Sequence, residues 1–285
     1  RSMEKMEKES FEGWICDGKG DQFPIHAKIV IDASGVAAVC SKLVKLENEQ
    51  PLNSKGKVVA GMQYELTSVP TDGYLDFYIW PEYAEKGYLW MIPKCDGRAN
   101  VGLVTEDKPR AKKALDEFIS NTHFSDSDQT LPPWKERGSP AFGGTIPISG
   151  PFENTHYDGL MLIGDAAGFT SPLFEGGSHL ALKSAVFAAK TASKSISEGD
   201  YTSQRLSEYT RLWKAEFPPY DKILRGKSAL FDLSDDEMSV MAKCFPNEMS
   251  NMGISGKAMV GIKLLLRKPG LYSKKIIPAM LAFGY

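Results

Sequence analysis

Residues 160–185, LMLIGDAAGFTSPLFEGGSHLALKSA, contain the pattern that most narrowly limits the possible folds of this chain. This stretch opens with an apolar run that predicts a short buried strand, and this strand ends at Gly164 and Asp165. The residues after Gly177 predict a helix. Small residues recur along one side of that helix and would let it pack closely on a sheet: Ala181, Ala185, Ala188 and Ala192.

A strand that ends in front of a helix is typical of a ligand site, because open α/β sheets bind ligands beyond the carboxyl ends of their strands. The helix N-terminus after Gly177 offers unpaired N–H groups and a partial positive charge, which suit a phosphate or an anionic ring oxygen. Asp165 can accept hydrogen bonds from the hydroxyl groups of a sugar or sugar alcohol. A plain strand–turn–helix with a capping aspartate is the alternative. The proline at 172 and the glycine pair at 176–177 make the pattern more specific than Gly-Asp alone.

Composition limits the class of protein. The chain has 285 residues, of which 42% are hydrophobic and 25% are charged, as in a globular protein with two packed units. Its formal net charge of -2 provides no basic field for nucleic acid. No apolar run is long enough to span a bilayer. The cysteines lack zinc-type spacing and predict free thiols in a reducing compartment: Cys16, Cys40, Cys95 and Cys244.

Other segments predict the framework around this stretch. Residues 29–31 are apolar and β-branched, which predicts a second buried parallel strand, and the turn sequence DASG follows them. From residue 57 to about residue 104, alternation predicts an antiparallel sheet with Tyr88 and Trp90 on one face. Residues 109–121 predict an amphipathic helix. The aromatic residues of the sheet either line a site or only pack against the next layer.

Four segments, taken in order, resemble one family of flavoproteins. VIDASG (30–35) is similar to that family's strand and turn beside the cofactor. GYLWMIPKCDGRANVGL (87–103) is similar to its substrate-domain signature, Tyr-x-Trp-x-Phe-Pro followed by a glycine strand. GGTIP (143–147) leads, as in the family, towards the second FAD motif at 160–185. From residue 28 to about 200, the chain thus resembles the FAD-dependent geranylgeranyl reductases, which have the glutathione-reductase-like FAD fold.

The resemblance implies an α/β fold with an α+β insertion. Residues 1–55 would form part of the FAD-binding sheet, and residues 56–150 would form an antiparallel β substrate-binding domain. Residues 151–200 would return to the FAD-binding domain as a strand and a helix. Residues 201–285 would form a C-terminal helical region.

The resemblance also implies which residues carry the site. FAD contacts are expected at Asp32, Ser34, Gly35, Gly164, Asp165, Ala166, Gly168, Pro172, Gly176 and Gly177. An apolar channel for the prenyl chain is expected at Tyr64, Phe77, Tyr88, Trp90, Pro93 and Phe174. No catalytic residue is identified, although Glu175 and His179 are candidate proton donors. No metal site is expected.

The implied activity is the reduction of carbon–carbon double bonds in the prenyl (geranylgeranyl) chains of lipids, with FAD as the hydride carrier. An outside electron donor, such as NAD(P)H or ferredoxin, would reduce the FAD. We expect a cytoplasmic enzyme with peripheral membrane contact through residues 254–285 and no nucleic-acid partner. Two alternatives remain: another flavoenzyme of the superfamily, such as a quinone-linked dehydrogenase or a monooxygenase, and a non-catalytic lipid-binding protein.

The sequence departs from the family at two positions of these motifs. Ile92 stands where Phe is usual, which would reshape the substrate channel. Glu175 stands where the FAD motif usually has a glycine. The related ubiquinone oxidoreductases bind an iron–sulfur cluster through clustered cysteines, whereas this chain offers only Cys244 near its C-terminus, so no cluster is expected.

The G-x-G-x-x-G fingerprint that holds the FAD pyrophosphate in such proteins does not occur in these residues. The nearest match begins at Gly18 and Gly20, but Phe23 occupies the position of the third glycine. We therefore expect that the complete enzyme has a further N-terminal segment that supplies this half of the FAD site.

The C-terminal segment, mostly helical from Tyr201 onward, carries only basic charges after Glu248 and interleaves them with apolar residues. A pair of basic amphipathic helices, broken at Pro269-Gly270, could rest on an anionic membrane surface. A solvated positive face over an apolar core is the alternative. The basic residues are Lys257, Lys263, Arg267, Lys268, Lys274 and Lys275.

Overall fold

A computed structural model describes most of the chain. The described residues are 3–5, 11–16, 22–42, 58–69, 71–121, 138–246, 253–271 and 275–277. The chain forms two compact units, Arg1–Phe217 and Pro218–Tyr285. The nearest match to the glycine fingerprint, at Gly18 and Gly20, lies outside the described residues.

The first unit begins with a small antiparallel sheet. Its three strands are β1 (Met3–Lys5), β2 (Phe11–Cys16) and β3 (Gln22–Ala27), paired in the order β1-β2-β3. The ladder between β2 and β3 runs from the pair Phe11 and Ala27 to the pair Cys16 and Gln22. The chain then passes directly from β3 to the strand that enters the second sheet.

The second sheet contains the two strands predicted to be parallel. Strand β4 (Val30–Asp32) pairs in parallel with β11 (Leu160–Leu162), and β10 (His156–Tyr157) pairs antiparallel to the other edge of β11. All three residues of β11 are buried, as the apolar run predicts. The parallel arrangement makes the two strands end at the same edge of the sheet.

The third sheet lies between β4 and β10 in the sequence and confirms the predicted antiparallel region. It consists of β5 (Val58–Leu66), β6 (Asp76–Tyr78), β7 (Tyr88–Pro93), β8 (Ala99–Thr105) and β9 (Phe142–Pro147). Its spatial order is β6-β7-β8-β5-β9, and every pairing is antiparallel. Both β8 and β9 therefore flank β5.

The two faces of the third sheet have different partners, because successive side chains of a strand point to opposite sides. One face, here called the helix face, packs on helix α1 (Ala111–Asn121), whose predicted position is confirmed. The other face, here called the site face, carries Val59, Gln63, Phe77, Tyr88, Trp90, Val104, Phe142 and Ile146. The core of the helix face includes Tyr64, Leu89, Met91, Leu103, Leu115, Phe118 and Ile119.

Two helices hold β11 in place. Helix α2 (Ser178–Glu198) follows the strand and its turns, and α3 (Ser203–Glu216) packs beside α2. The Tyr209 hydroxyl of α3 donates to the Leu162 carbonyl at 2.6 Å. The first unit extends to Phe217 and so includes both helices.

The described part of the second unit is helical. It contains α4 (Tyr220–Phe231), α5 (Asp235–Ala242) and α6 (Ile254–Arg267), followed by one helical turn at Pro269–Leu271. Helix α5 begins with a capping box, which satisfies N–H groups at the helix start. In the described part of the chain, no helix combines the length and the apolar character needed to cross a membrane.

Replacing Phe118 by alanine tests the core of the helix face. The ring is fully buried between α1 and the third sheet, so its loss leaves a cavity. We predict that Phe118→Ala lowers the free energy of unfolding by about 3–5 kcal/mol, measured by urea denaturation. Ser120→Ala, an exposed position on the same helix, is the control and should change it by less than about 0.5 kcal/mol. An equally small effect of Phe118→Ala would contradict this packing.

Candidate active site

The parallel pairing of β4 and β11 places their following turns side by side. The Ile163 N–H donates to the Asp32 carbonyl at 3.0 Å, so the pairing continues to the ends of both strands. The turn sequence DASG and the Gly164-Asp165 turn therefore share the carboxyl edge of the sheet. This is the edge at which α/β proteins bind ligands.

Asp32 shapes the turn that follows β4. Its carboxylate accepts the backbone N–H of Ser34 at 2.8 Å and that of Cys40 at 2.7 Å. The Ser34 hydroxyl in turn accepts the Val39 N–H at 2.8 Å. Burial raises the pKa of the Cys40 thiol to about 12, and the nearby Asp32 carboxylate adds to this effect. Asp32 and Ser34 therefore stabilise the turn by accepting hydrogen bonds from its backbone N–H groups.

The turn that follows β11 depends on a glycine next to the helix. Gly164 has φ +55°, in the left-handed region, and a Cβ added there would lie 3.2 Å from the Ala181 Cβ. The Gly164 N–H donates to the Ser184 hydroxyl at 3.1 Å. That hydroxyl donates to the Ala181 carbonyl at 2.8 Å. The small residues of α2 therefore allow the helix to approach this turn, as the sequence predicts.

A cavity of about 440 Å³ opens where these turns meet the start of α2. Four of the residues predicted to contact FAD line it: Gly35, Gly164, Asp165 and Gly177. Glu175, a candidate proton donor, also lines it. The cavity thus joins the two sequence motifs that are most distant from each other in the chain.

The start of α2 makes the cavity suitable for an anionic ligand. No side chain caps this end of the helix, and both Gly177 and Ser178 line the cavity. The unpaired N–H groups and the helix dipole favour negative charge there. The carboxylate of Asp165 is close, since a Cβ added at Gly177 would lie 3.0 Å from its Oδ1 atom. Burial raises the pKa of Asp165. A ligand that carries both an anionic group and hydroxyl groups could bind the helix N-terminus through the first and the Asp165 carboxylate through the second.

Glu175 has an unusual backbone conformation. Its φ is +50°, which costs a residue other than glycine about 1–2 kcal/mol. Its side chain is nonetheless buried, at 7% exposure, on the cavity wall. Its carboxylate interacts with the Tyr88 hydroxyl, and burial together with this carboxylate raises the pKa of Tyr88. The Tyr88 hydroxyl also donates to the Phe174 carbonyl.

Four aromatic rings form a cluster between the site face and the loop that carries Glu175. Tyr88 is at its centre, with ring centroids 5.3 Å from Phe77, 5.9 Å from Trp90 and 5.5 Å from Phe174. Phe77 and Phe174 are stacked at 5.4 Å. The structure thus brings together four of the six residues predicted to line a substrate channel.

Glycines keep the site face shallow beside this cluster. The Trp90 ring lies across Gly102, where an added Cβ would be 2.4 Å from the ring, and its Nε1–H donates to the Gln63 side chain at 3.3 Å. Ile146 covers Gly61 in the same manner, with 2.8 Å between its Cδ1 atom and an added Cβ. Above Gly144 the space is open. The site face therefore has an apolar floor with room above it.

Two predicted channel residues lie on the helix face. Tyr64 is fully buried there, and its hydroxyl donates to Asp116 of α1 at 2.5 Å. Pro93, at the end of β7, pairs with Ala99 on the same face. Side chains alternate between the two faces along each strand, so Tyr64 and Pro93 point away from the face that carries Tyr88 and Trp90. Neither side chain therefore reaches the aromatic cluster.

The remaining predicted site residues do not line the cavity. Ala166 and Pro172 are buried in the loop, Gly176 is exposed, and Gly168 forms a turn whose left-handed φ is +81°. His179 is exposed on the first turn of α2. Of the two candidate proton donors, only Glu175 therefore faces the cavity.

Sequence reasoning did not assign five other residues of the cavity wall: Ala33, Ile146, Ile163, Ser178 and Ala181. Ala33, Ile163 and Ser178 are direct neighbours of assigned residues, so the motifs were a sufficient signal for them. Ala181 belongs to the small-residue side of α2. Ile146 lies on β9 of another sheet, within the segment 143–147 that carries part of the resemblance, but no residue of that segment was assigned to the site.

Comparison with known proteins agrees with this geometry. Residues 58–131 match the family model described as the geranylgeranyl reductase catalytic domain. The chain is 35% identical over 262 residues to the digeranylgeranylglycerophospholipid reductase of Methanocaldococcus jannaschii, and 32% identical over 264 residues to that of Methanococcus vannielii. Over most of its length, this chain is therefore similar to digeranylgeranylglycerophospholipid reductases. Each alignment covers 90% of this chain and 64% of the relative, so the chain spans less than two thirds of either relative's length.

Solved structures show the same fold. A geranylgeranyl bacteriochlorophyll reductase-like protein from Thermoplasma acidophilum superposes with a TM-score of 0.78 at 24% identity, covering 96% of this chain and 68% of that one. A flavoprotein/dehydrogenase from Cytophaga hutchinsonii gives a TM-score of 0.62 at 17% identity, covering all of this chain and 68% of that one. This chain therefore shares its fold with these two proteins.

Removing the Tyr88 hydroxyl tests the link between the site face and the loop. We predict that Tyr88→Phe lowers the free energy of unfolding by about 1 kcal/mol, because the Phe174 carbonyl loses its donor in a part-buried site. Backbone amides of residues 171–177 should then exchange with deuterium faster. Tyr74→Phe, at a ring that is 74% exposed, is the control and should change neither quantity. Unaltered exchange in Tyr88→Phe would argue against the link.

The half-buried Asp165 predicts a defined dependence on pH. Since burial raises its pKa in the folded chain, the ionised carboxylate opposes folding at neutral pH. We predict that Asp165→Asn has a higher free energy of unfolding than the natural chain at neutral pH. This gain should disappear as pH falls through the folded-state pKa and below the ordinary value of 3.8. Urea denaturation over a pH series measures it, with Asp96→Asn, at an exposed turn, as the control. A loss of stability in Asp165→Asn at neutral pH would refute the prediction.

Proposed function

We propose that this protein is an FAD-dependent oxidoreductase that reduces carbon–carbon double bonds in the prenyl (geranylgeranyl) chains of lipids. The observation that carries the proposal is the contact between two sites. The loop of Phe174 and Glu175 contributes one residue to the aromatic cluster and the next to the cavity wall. An apolar chain on the site face would therefore adjoin a ligand in the cavity.

The cavity residues fit one end of a flavin nucleotide. We propose that the uncapped start of α2, at Gly177, stabilises negative charge on the flavin, and that Asp165 accepts hydrogen bonds from ribityl hydroxyl groups. Gly35 and Gly164 would let the ligand approach the backbone closely. FAD, when bound, supplies hydride for the reduction. A carrier such as NAD(P)H or ferredoxin would provide its electrons.

The site face fits a prenyl chain because it is apolar and partly open. Phe77 and Phe142 are each about half exposed at its two edges, and the Trp90 ring lies between them. A chain with isolated double bonds has no polar group by which it could be oriented, so shape and exclusion of water must position it. We propose that these rings hold the chain in place and keep water away from it.

The proposal assigns roles to the parts of the chain. Residues 1–55 and 151–200 would contribute to the FAD-binding domain, and residues 56–150 would bind the substrate. Residues 201–285 would form a C-terminal helical region. A lipid substrate places the enzyme at a membrane surface, so we propose a cytoplasmic protein in peripheral contact with a membrane through residues 254–285.

The test is a reduction assay with the protein expressed from its complete gene and purified with its flavin. A lipid with geranylgeranyl chains is incubated with the protein under a chemical reductant, and mass spectrometry follows the products. We expect a gain of two hydrogens for each reduced double bond. Rapid oxidation of the reduced flavin by quinone or oxygen without a prenyl product would favour the dehydrogenase or monooxygenase alternative. Lipid binding without any retained flavin would favour the non-catalytic one.

Filling the open floor of the site face should block the substrate. A side chain at Gly144 would project into open space, and its φ allows other residues. We predict that Gly144→Leu lowers kcat/KM for prenyl reduction about ten-fold or more, while unfolding changes by less than about 0.5 kcal/mol. Thr145→Leu adds a similar side chain at the next residue, which is also exposed but on the opposite face, and should retain activity. Equal effects of both variants would show that the site face does not bind the chain.

A further inference from the structure

Helix α6 of the second unit has apolar residues on both of its sides. Val260 and Leu264 are buried and anchor the helix in the core of that unit. Large apolar residues are nevertheless exposed on the outside of the same helix: Met259, Ile262, Leu265 and Leu266. Leu266 is 78% exposed, the highest value among these residues.

This exposed group needs an explanation, because a surface helix normally turns a polar face to water. Met259, Ile262 and Leu266 follow each other at steps of three and four residues, so they share one helix face. A contiguous exposed apolar patch of this kind marks a binding surface for a protein or a membrane.

The charges around the patch distinguish between these occupants. Lys263 and Arg267 lie among the apolar residues on α6 and are exposed, and Lys268 follows at the helix end. No acidic residue occurs from position 249 to position 285. A second copy of the chain on this patch would bring like charges together without a carboxylate of this segment to neutralise them. An anionic bilayer offers both an apolar phase and negative charge.

We propose that α6 is a membrane-docking helix that lies in the headgroup region of an anionic bilayer. Met259, Ile262 and Leu266 enter the boundary of the acyl chains, while Lys263 and Arg267 contact the anionic headgroups. Lysine and arginine suit this position, because their apolar stems can enter the boundary of the acyl chains while the charged group stays in the headgroup layer. This inference rests on the membrane contact proposed above for residues 254–285 and names the helix and the side chains that make it, while the reductase activity is tested separately.

The experiment is co-sedimentation of the complete protein with vesicles of phosphatidylcholine, with and without phosphatidylglycerol. We expect binding to the anionic vesicles, with weaker binding at high salt and to phosphatidylcholine alone. Leu266→Ser should weaken binding about ten-fold, because a large apolar side chain no longer enters the membrane. Leu182→Ser is the matched control, since Leu182 is a 71% exposed leucine on α2 of the first unit. Circular dichroism confirms that both variants are folded.

A charge variant tests the second part of the inference. Lys263→Gln should weaken binding to anionic vesicles about five-fold and reduce its salt dependence. Lys190→Gln, at an exposed lysine on α2, should change neither. Equal binding of the natural chain to neutral and anionic vesicles, or full binding by Leu266→Ser, would overturn the proposal. A dimer in solution that Leu266→Ser dissociates would assign the patch to a second copy instead.

The reductase and the docking helix can fail separately in these measurements. Leu266→Ser should reduce turnover of a prenyl lipid embedded in vesicles and leave turnover of the same lipid in detergent unchanged. If the protein binds anionic vesicles but reduces the lipid in neither form, the docking proposal is supported and the proposed reductase activity is contradicted. If reduction proceeds in both forms while vesicle binding is absent, the docking proposal falls alone.

Discussion

The parallel pairing of β4 with β11 is the constraint on which the rest of the first unit depends. It sets the ends of two distant strands at one edge, so that the turn held by Asp32 meets the turn at Gly164. The same pairing fixes where α2 begins, because the Gly164 N–H bonds to Ser184 of that helix. Without this pairing there would be neither a cavity nor a helix end directed at it.

Side chains alternate along the strands of the third sheet, so one face stabilises the unit and the other face is available for a ligand. The helix face buries its side chains against α1 and supplies the core of that part of the unit. The site face retains glycines and half-exposed rings, which contribute less to the core and leave room for a ligand. The Tyr88 hydroxyl connects this face to the cavity through Phe174 and Glu175. The left-handed φ of Glu175 is a local cost that keeps a carboxylate at this junction.

Periodicity and motifs predicted much of this arrangement, and the exceptions have a common physical cause. Strand β11 and helix α1 follow from local patterns, since each is decided by its own few residues. Tyr64 was expected to line a channel together with Tyr88, whereas the register of β5 against β8 and of β8 against β7 places the two side chains on opposite faces of the sheet. Ile146 reaches the cavity only through the packing of two sheets. The positive φ of Glu175 is likewise imposed by the surrounding structure. The family motif usually has a glycine at this position, and glycine adopts such a φ without strain.

The insertion of the five-stranded third sheet between β4 and β10 has a consequence for how the chain folds. The paired residues Val30 and Leu160 are more than a hundred positions apart, whereas each strand of the third sheet finds a partner within a shorter loop. Closing the long loop is entropically costly until the inserted sheet has become compact and shortened it. During synthesis on a ribosome, β4 must therefore wait, with an apolar strand unpaired, until residue 163 has emerged. We therefore expect the ligand site to form after the third sheet, and chaperone dependence to concentrate in this interval.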